Sequence, residues 1–157
     1  MLPSANLRAA AYYIARTWTA CPHCGLATLL TALAVSAGHE IRDDESDDWE
    51  PVEAHAFSFY IAAVSVPVHR QLRKHAPDFR FICDEATGDA GWANHCEHCC
   101  LPIDDDLLHI EPGGHGFVPC SEDQAATVSL LKVDEPFEAL AAGYAVEPEF
   151  FAFMQHN

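Results

Sequence analysis

Apolar and polar positions along this chain fall into strand-length blocks separated by turn residues. Residues 8 to 20 gather Tyr12, Tyr13, Ile14, Thr17, Trp18 and Thr19. Aromatic and β-branched types suit a pleated surface, so this block predicts a strand. The next apolar block, GLATLLTALAVSAG, fits two elements. Leu26, Leu29, Leu30 and Leu33 would line one face of a helix with Gly38 as its stop, and a strand leaving the turn at residues 21 to 24 fits as well. The strand is the reading adopted. AFSFYIAAVSV, from Ala56 to Val66, predicts a buried strand. Ser65 ahead of Pro67 then marks a helix start, VHRQLRKHA continues it with Val68 and Leu72 inward, and Pro77 ends it.

FRFICDEA, 79 to 86, alternates and predicts a strand. GDAGWANHCEHCC reads as a turn, DLLHI as a strand and EPGGHG as a turn. TVSLLKV and ALAAGYAV predict two short strands before a closing EFFAFM. The fold class is therefore α+β: a small mixed or antiparallel sheet with one or two short helices. The 157 residues suit a single domain, with an acidic loop at 42–53 and a C-terminal extension, 121–157, packed on the rest.

Half of the residues are hydrophobic, enough for a packed core. There is no apolar run of membrane-spanning length, and Arg16 interrupts what would have to be a secretory leader. A soluble, cytoplasmic protein is expected, with no membrane partner. The formal charge is −16, from 24 acidic and eight basic residues. Duplex-binding proteins draw most of their affinity from Lys and Arg on phosphates, so direct DNA binding is not expected. A protein partner suits the field better, either a basic one or one that ordinarily holds nucleic acid. Acidity that only keeps the chain in solution is the plainer reading. Arg70, Arg73, Lys74 and Arg80 make up half of the basic residues and lie within HRQLRKHAPDFR. They could meet an acidic partner or the chain's own acidic loop; a solvated helix face is preferred.

Seven cysteines include two close pairs, CPHC at 21–24 and CEHC at 96–99. Zinc takes four soft ligands at tetrahedral corners, and one CxxC turn supplies two of them. Cys21, Cys24, Cys96 and Cys99 are the predicted ligands of one structural Zn2+. Pro22 favours the first turn, and Gly25 permits a left-handed residue after it. The insert from Gly25 to His95 is 71 residues, so the ion would join distant segments. Cys100 stands where the first pair has Gly25 and competes with Cys99 as the fourth ligand. His23 and His98, third in each motif, are expected to face solvent. Cys83 and Cys120 read as buried, inert thiols.

WANHCEHC, the aspartate-rich link after it and LLHIEPGGHGFVP resemble a group of uncharacterised bacterial proteins with paired CxxC knuckles. The first knuckle with its downstream Thr28 is similar too. The resemblance implies a zinc-ribbon-like fold and no activity.

Two other chemistries compete. CPHC is also the active-site sequence of DsbA-like oxidants, in which Cys21 would attack and Cys24 resolve. That reading wants a helix over residues 26 to 36, and Val66-Pro67 would face the site. His109, Glu111 and His115, with Asp104, Asp105 and Asp106 just before them, form a second candidate metal cluster. A surface loop with a buried His109 is the preferred reading of that stretch. The sequence therefore points to a non-enzymatic zinc protein acting through an acidic surface, as an adaptor or as an inhibitor that imitates nucleic acid. The alternative is a thiol-disulfide oxidoreductase.

Overall fold

A computed structural model describes every residue except 1, 84, 87, 89, 112–115, 148 and 157. Strands β1 (Leu7–Ala9), β2 (Tyr12–Ala20), β3 (Ala27–Val35), β4 (His39–Arg42), β5 (Trp49–Val52) and β6 (Ala56–Val64) lead to helix α1 (Val66–His75). Strands β7 (Phe79–Cys83), β8 (Ala90–His95) and β9 (Pro102–Ile103) follow. The chain then forms α2 (Asp105–His109), α3 (Glu122–Ala125), β10 (Ser129–Val133), β11 (Phe137–Val146), a 3-10 turn at Phe151–Phe153 and β12 (Gln155–His156).

Nine strands form one sheet in the order β12-β10-β2-β3-β6-β11-β1-β4-β5. Its neighbours are antiparallel except β10 and β12. The remaining three strands form a small antiparallel sheet, β7-β8-β9. The class is α+β as expected, but the main sheet is much larger than the small one predicted. Segment 121–157, read as an extension, supplies three of its strands, and β11 lies between β6 and β1. The acidic 42–53 segment is mostly the tip and return strand of the β4–β5 hairpin, with residues 43–48 exposed.

Buried side chains lie in two clusters. Leu7, Tyr12, Ile14, Leu33, Ile61, Val68, Leu72 and Phe137 belong to one. Ala15, Leu30, Ala32, Ala34, Phe57, Leu108, Phe117 and Phe151 belong to the other. Neighbours along one strand, such as Ile14 and Ala15 or Leu33 and Ala34, feed opposite clusters. Strands β2 and β3 are therefore covered on both faces, which explains why β3 reads as a continuous apolar run. Helix α1 buries Val68 and Leu72 as predicted, with Pro67 in its first turn.

Two segments take up a different structure from the one expected. DLLHI is not a strand but α2. The Asp104 side chain accepts the Asp106 N–H at the start of this helix, and Asp105 and Asp106 occupy its first turn, where carboxylates suit the positive end of the backbone dipole. The stretch read as one turn, GDAGWANHCEHCC, begins with strand β8. This strand packs closely on β6: a Cβ on Gly91 would lie 3.0 Å from the Ile61 carbonyl oxygen. Among the described residues no helix is long and apolar enough to cross a membrane.

Candidate metal centre

Strand β2 runs into Cys21 and β3 leaves two residues after Gly25; β8 runs into Cys96 and β9 leaves two residues after Cys100. The two turns, CPHCGLA and CEHCCLP, are copies of one structure. Gly25 N–H donates to the Cys21 carbonyl at 2.9 Å, and Cys100 N–H to the Cys96 carbonyl at 3.0 Å. Cys21 N–H donates to the Leu26 carbonyl at 2.9 Å, and Cys96 N–H to the Leu101 carbonyl at 3.1 Å. The turn needs a left-handed residue after its second cysteine. Gly25 fills that position with φ 79° and Cys100 fills it with φ 64°. Cys100 thus shapes the turn, and Cys99 is the one that joins the cluster.

The two histidines exchange places across the pair. His23 Nε2 lies 3.1 Å from the Pro102 carbonyl oxygen, and His98 Nε2 lies 3.0 Å from that of Ala27. Each imidazole donates to the strand that leaves the opposite turn. Both histidines are exposed as expected, yet each holds the two turns together.

This pairing collects four sulfurs. Cys21 Sγ lies 3.7 Å from Cys99 Sγ, and Cys24 Sγ lies 3.7 Å from Cys96 Sγ. All four lie within 4.8 Å of one another. Tetrahedral thiolates at a metal–sulfur distance of about 2.3 Å would be separated by about 3.8 Å. Backbone amides point at two of the sulfurs. His23 N–H points at Cys21 Sγ at 3.3 Å, and His98 N–H at Cys96 Sγ at 3.4 Å. The amides of Cys99 and His98 pull the Cys96 thiol down to about 6, against the opposing effect of desolvation. Cys99 is pushed up to about 11: the Leu101 amide acts to lower it, but desolvation and the Cys21, Cys96 and Cys24 sulfurs outweigh it. Sulfurs this close resist ionising together unless a cation sits among them. The group can hold a metal ion.

Two buried polar residues brace the halves. Asn94, two residues before Cys96, lies against β3 on the side that β6 leaves open. Its Nδ2 donates to the Thr31 carbonyl at 2.9 Å, and its Oδ1 accepts the Thr31 N–H at 2.8 Å. One side chain thus replaces a missing strand partner. Thr28 is fully buried, and its Oγ1 accepts the Glu97 N–H at 3.1 Å. In the sequence Thr28 stands out only through the likeness to the paired-knuckle group, and the one signal of Asn94 is a polar residue between Trp92 and the cysteines.

The other candidates fall elsewhere. His109 ends α2, buried between the rings of Phe59 at 4.6 Å and Phe117 at 5.3 Å, and burial pushes its pKa down to about 3. Glu111 is exposed. His115 lies outside the described residues. Cys83 and Cys120 are exposed rather than buried: Cys83 ends the edge strand β7, and Cys120 directly precedes the capping Ser121 of α3. The helix that a DsbA-like site would require after CPHC is strand β3. No protein-family model, curated protein or solved structure matches this chain. The cysteine cluster is nonetheless what a zinc-ribbon-like pair of knuckles would form.

Proposed function

We propose that this protein is a non-enzymatic zinc protein. Cys21, Cys24, Cys96 and Cys99 hold one structural Zn2+, and the chain acts by binding another protein through its acidic surface. The observation that carries the proposal is the 3.7 Å spacing of sulfurs drawn from both knuckles. Four thiolates at tetrahedral corners suit Zn2+ and leave no open position for water or substrate. In this reading the ion pins β2–β3 of the main sheet to β8–β9 of the small one.

The interaction half rests on charge. The chain carries −16, and the tip of the β4–β5 hairpin exposes Asp43, Asp44, Glu45, Asp47 and Asp48. Such a field speeds encounter with a basic surface, including one that ordinarily holds nucleic acid. The test captures partners from the native host with the wild-type chain and with a chain neutralised at those five positions. Salt-sensitive capture that the neutralised tip loses supports the reading. Identical partners with identical salt dependence refute it.

A further inference from the structure

Two adjoining hollows lie along α1, away from the cysteine cluster. One, about 450 Å³, is lined by Val66, His69, Arg70, Arg73 and Lys74. The other, about 460 Å³, is lined by aromatic and basic side chains: Phe79, Phe81, Trp92, Arg80, and again His69 and Arg73. The hollows meet at His69 and Arg73, so an open basic depression adjoins an aromatic one. Trp92 is the buried floor of the second, with Phe79 at 5.8 Å, Phe81 at 6.2 Å and His69 at 5.0 Å. Phe81 is 50% exposed and leaves a ring available for stacking.

The local charge here is opposite in sign to that of the chain as a whole. Acids outnumber bases by 24 to eight, so most bases could find a partner. Yet none of the ion pairs among the described residues involves Arg70, Arg73, Lys74 or Arg80. Half of the chain's basic residues thus line two connected hollows without an ion pair to any other described residue. The volumes fall in the range of small-molecule sites. Arginine forks match phosphate and carboxylate oxygens, and exposed aromatic rings stack on flat ones.

We infer that this bipartite trough binds a small organic anion that carries a planar ring, with its phosphate or carboxylate over Arg73, Arg70 and Lys74 and its ring against Phe81 above Trp92. A mononucleotide has this chemistry and is the probe. The inference does not depend on the function proposed above.

The experiment uses the full chain as purified. Calorimetric titration with adenosine monophosphate is expected to saturate with a Kd of about 1 mM or tighter. Trp18→Phe with Trp49→Phe leaves Trp92 as the only tryptophan, and its emission, excited selectively over the four tyrosines, should change over the same range. Arg73→Ala with Arg80→Ala should weaken binding about tenfold or more while metal content and circular dichroism stay unchanged. Inorganic phosphate should bind at least about tenfold more weakly than the nucleotide, because it has no ring to stack. No saturation by about 10 mM nucleotide would overturn the inference, as would unaltered binding in the double variant. Equal affinity for inorganic phosphate would overturn the ring-binding half. Binding of a polyglutamate peptide without binding of the nucleotide would replace a small ligand with an acidic partner.

Discussion

Replacing Asn94 with Ala removes one side chain and leaves two buried backbone groups without partners. Thr31 is 3% exposed and Asn94 2% exposed, so water does not readily take over. The Thr31 N–H and carbonyl each lose a bond of 2.8 or 2.9 Å. A buried polar group left unpaired costs about 1–3 kcal/mol, so the pair should cost about 2–6 kcal/mol. A domain of this kind holds only about 5–15 kcal/mol in total. In urea, at an m-value of about 2 kcal/mol/M, the midpoint should fall by about 1–3 M at fixed zinc. The same bonds dock β8 onto β3, and these strands carry the two halves of the cysteine cluster. Zinc transfer to a competing chelator should therefore speed up in the variant. Asn94→Asp keeps the acceptor for the Thr31 N–H but loses the donor and buries a charge, so it should be no better than Ala. A midpoint shift under about 0.3 M, with unchanged zinc transfer, would refute this role for Asn94.

Further changes separate the parts of the site. Cys96→Ser removes one corner of a site worth about 10–16 kcal/mol in small zinc domains, and circular dichroism should show loss of the native fold rather than local fraying. Cys100→Gly should keep one zinc per chain and stabilise by up to about 1 kcal/mol, because glycine takes the left-handed φ of 64° freely; loss of the metal would make Cys100 a ligand after all. Asp105 accepts the Tyr60 N–H at 2.8 Å, and burial, with the Asp104 charge adding to it, pushes its pKa up from 3.8 to about 7. Between those two values the folded chain holds a proton that the unfolded chain has lost, so stability falls as pH rises through that window and levels off above it. Asp105→Asn keeps an acceptor oxygen and should flatten this slope in urea titrations, gaining about 2–4 kcal/mol at pH above 7.

The elements most legible in the sequence were those with one dominant pattern. Strands β2 and β6 announce themselves by aromatic and β-branched residues, and α1 by Pro67 with Val68 and Leu72 on one face. The ambiguity over ATLLTALAV has a physical cause: β3 is buried on both faces, which removes the alternation that marks a strand. DLLHI misled because its short apolar run carries no period, and the deciding feature was the Asp104 cap. Strand β8 hid behind its cysteines, and its register depends on Gly91 approaching Ile61 and Asn94 bonding Thr31, contacts made across 30 and 63 residues of chain. The four cysteines were legible from spacing alone. That Cys100 serves the turn instead was not, because only the backbone angle distinguishes it from Cys99.

Zinc content measured together with a thiol count on the purified native chain tests the central claim most directly. Seven cysteines are present, and Cys83, Cys100 and Cys120 are exposed outside the cluster. Elemental analysis should find one zinc per chain, a thiol reagent should modify three cysteines at once, and the other four should react only after a chelator removes the metal. Folded protein without stoichiometric metal, with Cys21, Cys24, Cys96 and Cys99 open to the reagent from the start, would contradict it.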